Sequence, residues 1–213
     1  MKPYRTLLKR AAAEFVVNKS RFIGSGAPAE TEEAALSFLS EIRQSRKDAS
    51  HNCYAYIVGA NMGTMRYSDD GEPGGTAGMP IIEHMKSRGV TNCAVVVTRY
   101  FGGVLLGAGG LVRAYAEAAK RAVDACGVGA MHPTARLMVD VPYPLLNRVD
   151  FFLKSAPVAV EDRAFAEHVT LSLLVRTADE DEIIGKLVDL SEGNLAPVRI
   201  EEFYYAWKEG EGE

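Results

Sequence analysis

The sequence is poor in the residues that mark a metal centre, a disulfide scaffold or a membrane span. It has three cysteines in 213 residues, Cys53, Cys93 and Cys126, and none stands in a C-x-x-C spacing. That excludes a zinc ribbon, and an odd, scattered set suits a reducing cytosol rather than a disulfide framework. The opening Met1-Lys2-Pro3-Tyr4-Arg5 leads into no long apolar run. Neither a signal peptide nor a transmembrane helix is expected, and so no membrane partner; a cytoplasmic location is. The chain also lacks a strongly basic nucleic-acid arm. Its formal charge is −4, and its hydrophobic fraction of 47% is ordinary for one large globular domain or two small ones.

The charge is unevenly placed. Residues 1–133 carry 16 Lys+Arg against 12 Asp+Glu, whereas residues 134–213 carry 8 against 16. A weakly basic first part beside an acidic second part suggests two domains facing different partners. His132-Pro133-Thr134 interrupts the pattern between them, which sets the expected domains at 1–133 and 134–213.

The stretch 95–117 organises the first domain. Val95, Val96 and Val97 are a β-branched run that suits a strand buried on both faces. Thr98 to Phe101 form its exit, and Gly102, Gly103, Gly107, Gly109 and Gly110 punctuate an expected loop. From Leu111 the pattern turns helical, with Leu111, Val112, Tyr115, Ala118, Ala119 and Ala122 on one broad face and Gly127 as its C-terminal stop. No Lys-Ser/Thr follows the glycines, so this is no Walker loop, and Val112 occupies the place of the third glycine of the dinucleotide fingerprint. What remains is a glycine-rich turn feeding a helix N-terminus, where free N–H groups and the helix dipole favour an anion. Arg99 and Arg113 bracket the turn as bidentate donors, with Tyr100 beside them. For that role Arg99 has to reach outward from the strand end. The structural alternative is that the glycines supply positive φ in a tight crossover and the arginines pair with carboxylates.

Before this stretch, Glu14–Val17 and Arg21–Gly24 flank Asn18-Lys19-Ser20 as a hairpin, and Thr31 caps a helix that buries Leu36, Phe38, Leu39 and Ile42. Asn52–Val58 and Met65–Ser68 read as paired strands. Asp69-Asp70-Gly71-Glu72-Pro73-Gly74-Gly75-Thr76-Ala77-Gly78 reads as a loop. Its three carboxylates do not have EF-hand spacing, and a turn rich in Asx hydrogen bonds is the expected use of Asp69 and Asp70, with no metal or other cofactor. Pro80 opens a helix through Met85, ended by Gly89. The order of elements implies an α+β sheet with helices on one face. After the break the expected order is β-α-β-β-α-β, ferredoxin-like, with Val169–Val175 as a half-buried strand, Trp207 over an edge and a frayed tail at Glu209–Glu213.

Several irregular motifs also carry a resemblance. Arg99-Tyr100-Phe101-Gly102-Gly103, Leu106-Gly107 and Gly109-Gly110-Leu111 closely resemble the signature of the IMPACT family, whose bacterial members are the YigZ-type proteins. Lys19-Ser20-Arg21-Phe22, His51-Asn52-Cys53-Tyr54-Ala55, Ser68-Asp69-Asp70-Gly71-Glu72-Pro73 and Gly75-Thr76-Ala77-Gly78 with Pro80 extend it over nearly the whole chain. The resemblance implies a first domain with the fold shared by a ribosomal small-subunit protein domain and domain IV of elongation factor G. It implies a second domain like domain V of that factor. Eukaryotic relatives regulate translation by competing for an activator of the initiation-factor kinase, using an additional N-terminal domain with no counterpart in this sequence, so that activity is not carried over. No catalytic residues are implied.

The leading functional expectation is a non-enzymatic binding protein of the translation apparatus, contacting RNA, the ribosome or a translation factor. Its site would draw on Arg99, Tyr100, Gly102, Gly103, Gly107, Gly109, Gly110, Arg113, His51, Asp69, Asp70, Glu72 and Thr76, with the loops 69–78 and 99–110 sharing one concave surface. The alternative is a hydrolase or transferase built on the same polar loops with Cys53. His51 and Cys53 are expected on opposite sides of their strand, which argues against a direct nucleophile–base pair. A plain scaffold whose motifs fix a fold is the third reading.

Overall fold

The computed structural model describes residues 2–207, so the expected tail at Glu209–Glu213 lies outside the described residues. It is a mixed α/β chain with two sheets and five helices. Residues 4–130 form one compact unit; the described residues from 131 onward, with Lys2 and Pro3, form the other.

The first unit contains β1 (Tyr4–Leu7), β2 (Ala11–Val17), β3 (Ser20–Pro28), α1 (Glu32–Ser45), β4 (His51–Val58), β5 (Thr64–Ser68), α2 (Gly78–Ser87), β6 (Cys93–Tyr100) and α3 (Gly107–Cys126). Asn18 and Lys19 both have positive φ, 46° and 64°, the twist that a two-residue hairpin turn between β2 and β3 requires. Thr31 caps α1, its hydroxyl accepting from Ala34 N at 3.2 Å. The sheet runs β2-β3-β6-β4-β5, antiparallel throughout, with β6 at its centre.

Helices cover both faces of this sheet, not one. Val95 and Val97 pack with Ile81 and Met85 of α2 and with Tyr115, Ala118 and Ala122 of α3. Ala94 and Val96 face the other way, against Phe38, Leu39 and Ile42 of α1. The valine run of β6 contains this result: alternate side chains of a strand point to opposite faces, and both sets are apolar. Helix α3 lies close because its inner face is alanine. A Cβ on Gly24 would sit 2.3 Å from the Ala118 carbonyl oxygen. The helix begins at Gly107 rather than Leu111, so Gly107, Gly109 and Gly110 form its first turn instead of a loop. Val112 is exposed rather than part of the apolar face, whose places are taken by Ala114, Val123 and Cys126. Leu36 of α1 is likewise exposed.

The second unit is built on β7 (Val128–Val141), α4 (Tyr143–Leu153), β8 (Val158–Phe165), β9 (Val169–Arg176), α5 (Glu180–Leu190) and β10 (Val198–Trp207). His132-Pro133-Thr134 is not a break in secondary structure: β7 runs straight through it. The proline is accommodated because its carbonyl is used, by Thr177 N at 2.9 Å, and its missing N–H is not needed there. Within this unit β8 pairs β9, β9 pairs β7, and β10 also pairs β7. Leu137, Val139, Leu171 and Leu173 meet Val149 and Leu153 of α4 and Ile183 and Leu187 of α5. Ser172 and Leu174 on the other side of β9 are also buried, so this strand is covered on both faces rather than one. Trp207 is buried, its Nε1 donating to Thr134 Oγ1 at 3.0 Å. No helix among the described residues is long and apolar enough to cross a membrane.

Candidate functional site

Sheet register sets one row of side chains at an end of the first unit. Phe22 on β3, Arg99 on β6 and His51 on β4 are direct cross-strand partners and share the α2–α3 face. Arg99 is 5% exposed. Its guanidinium lies between the rings of Phe22 and Phe101, 5.5 and 5.4 Å from their centroids. A cation in such a place needs an anion, and the 69–78 loop supplies it. Arg99 Nη1 donates to Glu72 Oε1 at 2.7 Å, and Tyr115 Oη of α3 donates to the same oxygen at 2.7 Å. Glu72 itself is 8% exposed.

The loop is held in place by its own carboxylates. Asp69 accepts backbone N–H groups from Gly75, Ala77 and Gly78 at 2.8 to 3.0 Å, closing the loop and capping the start of α2. Burial raises its pKa, but the three N–H donors outweigh that and leave it below the ordinary carboxylate range. Asp70, with φ +45°, accepts from Asn52 N at 2.7 Å and pairs with Arg43 at 2.8 Å. His51 Nδ1 lies 2.8 Å from the Asp70 carbonyl oxygen, which can only accept, so Nδ1 is the donor of this bond. Cys53 Sγ donates to the Asp69 carbonyl oxygen at 2.9 Å and sits 3.4 Å from Tyr115 Oη. On the other side, Ser20 Oγ accepts from Gly102 N at 3.2 Å and Ser50 Oγ from Phe101 N at 3.1 Å. A Cβ on Gly102 would fall 2.0 Å from the Lys19 carbonyl carbon, so only glycine fits where the hairpin tip crosses this segment.

Segments far apart in sequence, 19–22, 50–54, 68–78 and 99–103, therefore meet around one buried ion pair. A family model described as Impact N-terminal domain matches residues 18–123, and one described as Domain of unknown function (DUF1949) matches residues 139–194. The chain is 33% identical to IMPACT family member YvyE of Bacillus subtilis, over 89% of this chain and 88% of that protein. It is 34% identical to IMPACT family member YigZ of Escherichia coli, over 87% and 92%.

The chain belongs to the IMPACT family.

A Thermus thermophilus member is 37% identical over 84% of this chain and 98% of its own length. A solved structure titled "Crystal structure of an hypothetical protein" superposes with a TM-score of 0.61 at 32% identity, covering 94% of this chain and 98% of that one.

In this IMPACT member the two glycine-containing stretches meet as a closed contact through Glu72 and Arg99. Arg99 does not reach outward: it is the carboxylate-paired arginine of the structural alternative. Thr76 is buried and its hydroxyl donates to the Pro73 carbonyl at 2.6 Å, a local turn bond. Tyr100 faces the opposite side of the sheet, its hydroxyl 3.3 Å from Asp48. Gly107, Gly109, Gly110 and Arg113 stand apart on the first turns of α3. The expectation that His51 and Cys53 point to opposite sides is wrong, because residues two apart in a strand share a face, and both rest on consecutive carbonyls of one loop. Burial pushes the Cys53 thiol up to about 12, with Tyr115 opposing, so it is no thiolate at neutral pH. Sequence reasoning missed Ser20 and Tyr115 as members of the cluster. The signal for Tyr115 was a polar-tipped residue on an otherwise alanine-lined helix face, which demands a buried partner.

Proposed function

We propose that this protein is a non-enzymatic binding module of the translation apparatus. The first unit serves as a ribosomal-protein-like or elongation factor G domain IV-like module, the second as a ferredoxin-like module akin to domain V of that factor. The observation that carries this reading is the contrast between two neighbouring groups of residues. In the 51–53, 69–78 and 99 cluster, Cys53, Glu72 and Arg99 are buried, and His51, Asp69 and Asp70 are half-buried with their polar groups already bonded within the protein. The segment that follows is turned outward: Phe101, Val104 and Leu105 are exposed, Leu105 to 85%. At the start of α3 no side chain caps the helix and no acid lies in its first turn. Arg113 is exposed and has no ion-pair partner among the described residues. Apolar tips, free helix N–H groups and an unpaired arginine suit contact with a large anionic assembly. A hydrolase or transferase would need a free nucleophile or base, and the high pKa of Cys53 does not favour that reading.

The test is co-sedimentation of the full chain with ribosomes in a salt series. Association is expected at low salt, weakened by Arg113→Ala and by Leu105→Asp. No association at any salt concentration overturns the proposal.

A further inference from the structure

The face of the first sheet that packs on α1 carries a cation without a carboxylate. Arg46 follows the last turn of α1 and is half-buried. Its Nη1 donates to Thr98 Oγ1 at 2.9 Å, and Thr98 Oγ1 donates in turn to Asn52 Oδ1 at 2.8 Å. Thr98 and Asn52 are buried cross-strand partners on β6 and β4, so the guanidinium is fixed from the sheet interior. The neighbouring arginines are neutralised, Arg21 by Glu14 at 2.6 Å and Arg43 by Asp70 at 2.8 Å. Arg46 has no such partner among the described residues. Burial lowers its pKa, and Arg21 adds to the lowering, while Tyr100 and Glu14 act the other way. It stays charged nonetheless, and the α1 dipole offsets only part of that charge. The other N–H donors of its planar fork remain for a ligand.

Two flat side chains, Tyr100 and Arg21, are near enough to act on its charge. Arg21 and Tyr100 are cross-strand partners, with the guanidinium 5.7 Å from the ring centroid. Arg43 lies 5.6 Å from the centroid of Tyr54, which stacks on Tyr56 at 6.2 Å. Arg21 and Tyr100 thus set an arginine plane beside a tyrosine plane near the C-terminal end of α1, whereas Tyr56 is buried with its hydroxyl on Glu32 at the other end of that helix. Splayed bases stack on such planes while the intervening phosphate takes a bidentate arginine; a protein carboxylate would use the fork but leave the planes idle.

We propose that Arg46, with Tyr100 and Arg21, forms a phosphate-anchored platform for single-stranded RNA. This rests on the reading that the protein binds part of the translation apparatus, and it names a surface and a ligand class for it. The test uses the full chain and a fluorescein-labelled ten-nucleotide uridine RNA without ribosomes, so its result is independent of co-sedimentation. Binding is expected to weaken with salt. Arg46→Gln, which keeps a donor for Thr98, should weaken it roughly tenfold at low salt and flatten the salt slope by about 0.7. Arg46→Lys should restore part of the affinity, and Tyr100→Ala should weaken binding without changing the slope. Arg21→Ala, at an exposed position, removes the plane that lies on Tyr100 and is the second variant should Arg46→Gln melt early. The platform is overturned if the wild-type chain ignores the RNA at low salt. It is overturned equally if Arg46→Gln and Arg21→Ala both bind as wild type, or if inorganic phosphate at matched ionic strength displaces the RNA fully while Tyr100→Ala is silent, which marks a bare phosphate site.

Discussion

Replacing Glu72 by glutamine tests whether the family motifs converge on a structural ion pair. The substitution keeps the shape and one acceptor for Tyr115 but removes the only carboxylate in ion-pair contact with the Arg99 guanidinium among the described residues. What remains near Arg99 is two aromatic rings and Ser20 Oγ at 3.5 Å, and its Nε already has no partner. Breaking a buried pair by removing one partner costs about 3–5 kcal/mol. Because both residues are less than a tenth exposed, the screening that makes surface pairs nearly worthless does not apply. The retained amide oxygen places Glu72→Gln near the lower end, about 3 kcal/mol. Arg99→Met should cost a similar amount, and the double variant should lose less than the two together by at least about 1 kcal/mol, since neither charge is then stranded. Urea unfolding followed by far-UV circular dichroism and by hydrogen exchange of β6 amides measures this in the first unit; Trp207, the single tryptophan, reports on the other. A loss below about 1 kcal/mol for Glu72→Gln, with strict additivity in the double variant, would refute the ion-pair argument.

The glycines of the signature should separate into two kinds. Gly102→Ala forces a Cβ into the Lys19 backbone and should severely destabilise the fold, whereas Gly109→Ala meets only the Arg113 Nη1 tip at 3.9 Å and should raise thermal stability by up to about 1 kcal/mol. If Gly109→Ala also weakens ribosome association, the small residue is kept for a ligand's approach. All three cysteines are buried, with Cys53 and Cys93 pushed up to about 12, so a thiol reagent at pH 8 should label none until denaturant is added; rapid labelling of Cys53 would revive the enzyme reading. The folded-state pKa of Asp69 is depressed below its unfolded value. Its contribution is therefore present above the unfolded carboxylate pKa, near 3.9, and is lost as pH falls through the folded value. Asp69→Asn should cost about 0.5–2 kcal/mol at pH 7 and progressively less as the pH falls below the unfolded carboxylate pKa, measured by urea unfolding across an acid series; a loss that stays constant down the series would contradict the cap.

Much of the local structure was written in the sequence because it depends on near neighbours. The hairpin at Asn18-Lys19, the Thr31 cap and the valine strand at 95–97 each follow from side chains within a few residues. The family was legible for the same reason, since its motifs are short and irregular. Where the sequence reading failed, the deciding partner was distant. The glycines at 107–110 look like a loop until the rest of α3 extends the helix over them. Arg99 looks like an outward anion ligand until Glu72, 27 residues away, and Tyr115 close over it. Only the fold could show that, because a buried charge is stabilised by whatever the sheet register brings beside it. The same register leaves Arg46 across from Thr98, 52 residues on, with no carboxylate opposite. The sequence by itself determined which residues carry chemistry; the tertiary structure decided which of them face one another and which face a partner.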